Sequence, residues 1–299
     1  MYEKILVALD GSQFSEVILP YSRLLADKLK LAVELIHVID RDLATPTSAA
    51  GQARYQEIMA TENEKSLDYL KKIAASFPAG TKIQCSVEPG NPAEVIVDKA
   101  AEHRHTLIAM CTHGRSGVNR WLIGSVADKV LHGAANPLLL VRAGDTAAVQ
   151  GTALWRRILV PLDGSALAET VIPHAAELAR PLVLEIVLMR VFGVPTPVFA
   201  EDYGPYVEEL WTQLEDEAQK YLAEKKQNLL AQGLANVATI ATAGFPAEKI
   251  IDAARQRKDA LVAMCTHGRS GVNRWVMGSV TDRVVRHGGE PVLIIRATA

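Results

Sequence analysis

Two short segments of this sequence contain residue types that bind anions and sugars, and each segment occurs twice. The first is Asp-Gly-Ser, at residues 10–12 and again at residues 163–165. An aspartate at the end of a strand can bond a ribose hydroxyl or hold a hydrated metal ion. The same three residues are also typical of a turn followed by a helix cap. The triplet alone therefore leaves both a binding site and a plain turn open.

The second segment is rich in glycine and follows an apolar run. Its residues are Cys111, Thr112, His113, Gly114, Arg115, Ser116 and Gly117, followed by Gly124 and Ser125. Glycines let backbone N–H groups approach an anion closely, and a hydroxyl at a helix start lies beside the positive end of the helix dipole. The pattern indicates a phosphate cradle; the alternative is a glycine-rich loop with a serine N-cap.

Both segments belong to an internal repeat. KILVALDGS at 4–12 recurs as RILVPLDGS at 157–165. MCTHGRSGVNRWLIGS at 110–125 recurs as MCTHGRSGVNRWVMGS at 264–279. The two copies diverge freely elsewhere, so the retention of the glycine-rich segment within one chain favours a functional loop.

The repeat predicts two copies of one domain, at 1–143 and 155–299. Between them, residues 144–154 are small and polar with no apolar period, which is typical of a linker. The period of the repeat is far longer than the roughly 20–50 residues of solenoid repeats, so a solenoid is excluded.

Each copy alternates short apolar runs with longer amphipathic segments. In the first copy the runs are KILVAL, LAVELIHVI, TKIQCSV, TLIAMC and NPLLLV, and in the second RILVPL, LVLEIVLMRV, NVATIATA, ALVAMC and PVLIIR. Continuous apolar runs are typical of strands that helices cover on both faces. We therefore predict an α/β protein of two tandem Rossmann-like, doubly wound domains, each a five-stranded parallel sheet with helices on both faces. Ligands of such sheets bind beyond the carboxyl ends of the strands, where both polar segments lie.

Composition narrows the partners. The 299 residues include 32 basic and 34 acidic side chains, for a formal charge of −2, which argues against nucleic acid as a partner. Three cysteines cannot form a disulfide framework, and we expect neither a secretory signal nor a membrane span. A cytoplasmic protein is therefore expected. No GxxxxGK[ST] motif occurs and no GxGxxG follows the first strand, which excludes a P-loop and weakens a dinucleotide site.

The strand-one aspartate, the THGRSG loop and the Gly-Ser pair together resemble the universal stress protein family in its tandem two-domain form. The family's ATP-binding members carry G-x2-G-x9-G-[S/T]; here Gly114 is followed by nine residues and Gly124-Ser125, and the second copy has the same spacing. The first glycine of that motif falls on Cys111 and Cys265, where both copies depart from the family. The resemblance covers nearly all of both copies.

The resemblance implies one ATP site in each copy, with Mg²⁺ held mainly by the phosphates and water. Asp10 and Asp163 would contact the ribose or the metal–phosphate region, and Val38 and Val191 would meet adenine through backbone groups. The full implied set is Asp10, Val38, Thr112, Gly114, Arg115, Ser116, Gly117, Gly124 and Ser125, with Asp163, Val191, Thr266, Gly268, Arg269, Ser270, Gly271, Gly278 and Ser279 in the second copy.

No catalytic residue is predicted, because the histidines and cysteines of the loop have no Ser-His-Asp or Cys-His partner pattern. No spacing typical of a metal site is present. The leading hypothesis is thus an ATP-binding regulatory stress protein and not an enzyme. Two alternatives remain: a slow ATP hydrolase of the adenine-nucleotide α-hydrolase-like group, and a scaffold without nucleotide.

Two further expectations concern the copies themselves. The matched final runs, NPLLLVR and EPVLIIR, would each be an exposed edge strand unless paired, which predicts an intramolecular pseudo-dimer, with a homodimer as a further option. The segments after the second strands, at 41–51 and 192–205, differ strongly between the copies. Any difference in ligand between the two sites should arise there.

Overall fold

The computed structural model divides into two compact units, Met1–Ala153 and Leu154–Ala299. It describes residues 1–40, 49–112, 123–142, 155–193, 204–257, 259–266 and 277–296. The predicted linker at 144–154 lies outside the described residues, as does most of each glycine-rich loop.

The first unit is a parallel sheet whose strands are connected through helices. Its strands are β1 (Lys4–Ala8), β2 (Ala32–Asp40), β3 (Ile83–Gly90), β4 (Thr106–Cys111) and β5 (Leu138–Val141). Its helices are α1 (Leu19–Leu29), α2 (Ala49–Ala74), α3 (Pro92–Ala101) and α4 (Ser125–Gly133), with a 3₁₀ turn at Ser15–Ile18. The strand order is β3-β2-β1-β4-β5.

The second unit repeats this plan. Its strands are β6 (Arg157–Pro161), β7 (Glu185–Phe192), β8 (Val237–Ala243), β9 (Ala260–Cys265) and β10 (Val292–Ile295), in the order β8-β7-β6-β9-β10. Its helices are α5 (Ala166–Glu169), α6 (Val171–Leu182), α7 (Gly204–Ala231), α8 (Pro246–Arg255) and α9 (Ser279–His287). The predicted α/β class and tandem five-stranded parallel sheets are confirmed.

The register of the strands makes positions in the two units directly comparable. Ile5 pairs with Val33 in the first unit, and Ile158 pairs with Ile186 in the second. Counting along β2 and β7 from these pairs, Val38 and Val191 occupy the same place. All residues of β4 and β9 are buried, which explains why these runs are apolar throughout.

The predicted start of β7 is wrong. The run LVLEIVLMRV predicts a strand from residue 182, but Leu182 ends α6 and β7 begins at Glu185. Between them Val183 has a left-handed backbone, with φ of 54°, as Lys30 does after α1 with φ of 57°. The apolar run continues from the end of a helix through this turn into the strand, so hydrophobicity does not mark where the backbone changes.

A buried ion cluster distinguishes the core of the first unit. The Glu34 carboxylate, on β2, is fully buried, accepts a hydrogen bond from Ser86 Oγ at 2.7 Å and is ion-paired with Lys4. Lys99 Nζ lies 3.9 Å from Glu34 Oε1, the oxygen that accepts the bond from Ser86. Burial raises the pKa of Glu34, but the bonds from Lys4 and Ser86 outweigh it and hold the pKa below its usual range. The second unit has Val187 at the position of Glu34.

Glu34→Gln should destabilise the first unit by about 3–5 kcal/mol at neutral pH, because it removes the buried charge that pairs with Lys4, a lysine only 18% exposed. The folded pKa of Glu34 lies below the unfolded value, so its stabilisation is complete above the unfolded pKa and is lost as pH falls through the folded pKa. Urea unfolding measured from neutral to acidic pH should show this loss in the wild type and not in the variant. The exposed Glu57→Gln is the matched control, and superimposable profiles for wild type and Glu34→Gln would contradict the assignment.

Candidate functional site

A cavity of about 420 Å³ opens at the carboxyl ends of the strands in the second unit. Beyond β6 it is lined by Leu162 and Asp163, at β7 by Val191 and Phe192, at β9 by Met264 and Cys265, and at the start of α9 by Gly278, Ser279, Val280 and Thr281. Residues of α7 and α8 form the remaining walls. The volume falls within the roughly 300–1,000 Å³ of small-molecule pockets.

The cavity lies where the order of the strands reverses. From β6 the chain proceeds through β7 and β8 on one side of the sheet, and then returns to β9 and β10 on the other. Loops that leave β6 and β9 therefore diverge and leave a crevice between them. The structure brings Asp163, Val191, Gly278 and Ser279, all candidates from the sequence, together around this crevice.

The matching candidates of the first unit occupy the same elements. Asp10 follows β1, Val38 is part of β2, and Gly124 with Ser125 begins α4. Eight further candidates lie outside the described residues: Gly114, Arg115, Ser116, Gly117, Gly268, Arg269, Ser270 and Gly271. His113 and His267 lie outside them as well.

Both ends of each glycine-rich loop are tied together. Gly124 N donates to Thr112 O at 2.7 Å, and Gly278 N donates to Thr266 O at 2.8 Å. Thr112 and Thr266 are buried directly after β4 and β9, and their N–H groups donate to the neighbouring final strands. The loop is therefore closed at its base in each unit, with the helix start held beside the end of the strand.

The Asp-Gly-Ser loops contain the turn that their residue types allow. Asp163 Oδ1 accepts bonds from Ser165 N at 2.9 Å and from Ser165 Oγ at 2.6 Å, and Ser165 Oγ accepts from Ala168 N at the start of α5. Asp10 and Ser12 make the same two bonds. A carboxylate has about four acceptor positions, so this use of one oxygen is compatible with binding a ligand.

Glycine is required at the centre of these loops. Gly11 has φ of 81° and Gly164 has φ of 88°, a left-handed backbone that costs an L-residue roughly 1–2 kcal/mol. The turn and the aspartate's position above the sheet are therefore fixed by the same short sequence.

The starts of α4 and α9 differ from the expected serine N-cap. Gly124 and Gly278 are the N-cap residues, with extended φ and ψ, and neither helix has a side-chain cap bond. Ser125 and Ser279 are the first helical residues instead. A glycine N-cap has no side chain of its own to cover the first N–H groups of the helix.

The two motif cysteines are buried at the ends of the central strands. Cys111 and Cys265 are each 5% exposed, and Cys265 lines the cavity. Its Sγ lies 3.4 Å from the hydroxyl of Thr170. A thiol here narrows the floor of the cavity relative to a glycine, while its burial is typical of a small apolar side chain.

Sequence reasoning missed a tyrosine–glutamate pair that occurs beside both loops. Tyr221 OH donates to Glu169 Oε1 at 2.8 Å, and Tyr69 OH donates to Glu16 Oε1 at 3.0 Å. Burial, and then the bond to Glu169, raise the pKa of Tyr221 well above its usual range. The recurrence of a Glu and a Tyr at matched places in both copies is a signal that could have identified this pair.

The second unit adds two cations to this pair. Lys225 Nζ contacts Glu169 Oε2 at 2.9 Å, and the Arg190 guanidinium lies over the Tyr221 ring, 4.8 Å from its centroid. Arg190 also lines the cavity. These contacts fasten the long helix α7 to α5 and to β7, so they position one wall of the site.

The described ranges contain neither a ready metal site nor a membrane-spanning helix. In this part of the chain no group of three or more His, Cys, Asp or Glu side chains is arranged to hold a metal ion. None of the helices described has the length and apolarity needed to cross a membrane.

A model of the universal stress protein family matches residues 1–142 and 154–296. These two matches take in both structural units and almost the entire chain. The protein therefore belongs to the universal stress protein family, as a tandem two-domain member.

Individual relatives agree with this membership. A universal stress protein of Mycolicibacterium smegmatis is 24% identical over 299 residues, which cover 98% of this chain and 96% of the relative. One from Methanocaldococcus jannaschii is 32% identical over 143 residues, which cover 48% of this chain and 83% of the relative. The crystal structure of a universal stress protein from Archaeoglobus fulgidus matches with a TM-score of 0.70 at 21% identity, covering 99% of this chain and 98% of that one. The last likeness shows a shared fold.

The bonds of the Asp-Gly-Ser loop predict different effects for two substitutions of Asp163. Asp163→Ala removes both bonds to Ser165 and should lower the free energy of unfolding by about 1–3 kcal/mol. Asp163→Asn keeps a carbonyl oxygen in place and should stay within about 0.5 kcal/mol of the wild type. Calorimetric unfolding checks both, with Asp10→Ala and Asp10→Asn as the matched pair in the first unit. An alanine variant as stable as the wild type would show that other contacts hold the loop.

Proposed function

We propose that this protein binds ATP at the crevice in each unit and acts as a nucleotide-dependent regulatory protein of the stress response. The observation that carries the proposal is the cavity bounded by Asp163, Val191 and the Gly278–Ser279 helix start. These three features match the three parts of ATP. The Asp163 carboxylate can accept from ribose hydroxyls, the backbone at Val191 can meet the base, and the helix start at Gly278–Ser279 can bind the phosphates.

The start of α9 supplies the phosphate end of the proposed site. The first N–H groups of a helix have no partner within it, and the helix dipole adds a partial positive charge there. Gly278 has no side chain to block an approach, and the Ser279 hydroxyl can donate to a phosphate oxygen. Gly124 and Ser125 offer the same groups at the start of α4.

Asp163 and Val191 supply the other end. The Asp163 carboxylate lies directly beyond β6 and can accept a bond from a ribose hydroxyl while Oδ1 holds the turn. Val191 lies near the end of β7, where backbone groups are within reach of a base seated against the strand. Asp10 and Val38 fill these roles in the proposed first site.

Mg²⁺ fits this site as a companion of the phosphates. Asp163 and Glu217 offer carboxylates and Ser279 and Thr281 offer hydroxyls at the cavity, and the described residues hold no group of three or more His, Cys, Asp or Glu side chains arranged for a metal ion. Mg²⁺ is commonly bound through one or two carboxylates together with substrate phosphates and water. The ion would neutralise phosphate charge, and the chain would contribute the Asp163 carboxylate.

A binding role is favoured over catalysis. At the cavity the Cys265 thiol is buried beside Thr170, so it is not arranged as a general base for an attacking water. Slow ATP hydrolysis stays the second candidate. We further propose a cytoplasmic protein whose two units pair through their final strands.

Ser125→Ala with Ser279→Ala should weaken ATP binding about tenfold or more at each site, because each serine loses one charge-assisted bond worth roughly 1.5–3 kcal/mol. Stability should change little, since neither serine is the N-cap. Titration calorimetry with ATP and Mg²⁺ measures the affinity. Ser125→Thr with Ser279→Thr keeps both hydroxyls and is the control. Unchanged affinity in the alanine variant of a protein that binds ATP would place the phosphates elsewhere.

Gly114→Val with Gly268→Val should abolish ATP retention, because a side chain blocks the approach of phosphate to the loop backbone. Cys111→Gly with Cys265→Gly should retain or raise it, since it restores the first glycine of the motif. Nucleotide recovered from the purified variants by mass spectrometry is the measurement. The reverse order, with valine tolerated and glycine not, would make the cysteines ligands or reactive groups and would refute the nucleotide site.

A further inference from the structure

The two units differ at the end of the crevice that lies away from the helix start. In the second unit Phe192, the last residue of β7, lines the cavity beside Val191 and is only 9% exposed. Its ring meets that of Trp211 edge to face, with centroids 6.4 Å apart and planes at 87°. Leu214, one turn further along α7, lines the same wall. Trp211 is not itself a lining residue and supports the Phe192 ring from behind, while Glu217, one turn beyond Leu214, adds a carboxylate to this wall.

The first unit has no such wall at the matching positions. By the register of β2, Ile39 stands where β7 has Phe192. Counting back from the paired tyrosines Tyr69 and Tyr221, Met59 corresponds to Trp211. The same count places the exposed Glu62 at the position of Leu214. The first unit thus has an isoleucine, a methionine and a glutamate where the second has a phenylalanine, a tryptophan and a leucine.

The aromatic pair is also held in place. An edge-to-face contact is a favoured arrangement of two rings, and the buried position of Phe192 limits its rotamers. A ring ordered before a ligand arrives loses less conformational entropy on binding than a mobile side chain does. Nucleobases pack on aromatic side chains without regard to base sequence, because each has a π-face.

We propose that Phe192, held in place by Trp211 behind it, is the base-recognition side chain of the second pocket and makes this pocket the tighter of the two for ligands with a planar heteroaromatic base. The first pocket, with Ile39 and Met59, holds the same ligands mainly through their phosphates. The inference rests on the proposed function, since it assigns a specificity-determining pair to that site.

Exchanging the side chains between the units tests the proposal. Phe192→Ile with Trp211→Met gives the second pocket the first pocket's residues, and Ile39→Phe with Met59→Trp does the reverse. Each full-length variant and the wild type are titrated with ATP and with inorganic tripolyphosphate, which has the phosphates but no base. Base stacking should be worth about five- to hundredfold in affinity.

The expected result is a tight and a weak ATP site in the wild type, with the tight site weakened at least fivefold by Phe192→Ile with Trp211→Met. Tripolyphosphate affinity should stay unchanged, which also shows that the pocket is still folded. Ile39→Phe with Met59→Trp should strengthen the weak site, a gain that a misfolded variant cannot give. Quenching of tryptophan fluorescence by ATP should decrease when Trp211 is replaced.

Two results would overturn the proposal and are distinguishable. If ATP binds the wild type but the exchanges leave its affinity unchanged, or alter ATP and tripolyphosphate equally, the aromatic pair does not recognise the base and the proposed function stands. If neither ATP nor tripolyphosphate binds the wild type, both the aromatic wall and the nucleotide site are refuted.

Discussion

The reversal of strand order beside the first strand of each sheet is the constraint on which the candidate site depends. Because β6 lies between β7 and β9, the chain must leave β6 on one side and β9 on the other. Asp163 from one loop and the Gly278–Ser279 helix start from the other therefore face a common crevice.

Comparing the two units shows that contacts near the candidate site are shared, whereas core residues differ. Near the loops the same interactions occur in both units, as in Tyr69 with Glu16 and Tyr221 with Glu169. In the core the units diverge: Glu34 is buried with its lysines in one, while the other has Val187 at that position. A buried ion cluster and an apolar side chain thus support the same sheet, because the register of the strands is set by backbone pairing and general apolarity.

The sequence predicted elements best where composition changes abruptly at a boundary. Predicted and observed β4 coincide at 106–111, since polar residues flank the apolar run. The start of β7 was missed because Leu182 and Val183 are apolar on the helix side as well. The serine N-cap was inferred from residue type, whereas the backbone at Gly124 decides which residue is the cap. Phe192 and Trp211 meet only through tertiary packing, which no local pattern reveals.

The glycine-rich motif is nearly identical in the two copies, whereas the residues opposite it differ, as Phe192 does from Ile39. The two copies therefore have nearly the same residues at the helix-start end of the crevice and different residues at the end that would receive a base. Sites that share phosphate chemistry but differ in base contacts bind one ligand with unequal affinity. Occupancy of each site rises over about two decades around its own Kd, so unequal sites respond over a wider range of nucleotide concentration than equal ones. With the two sites as proposed, a tandem chain of this kind would gain a graded response that a symmetric pair of identical domains lacks.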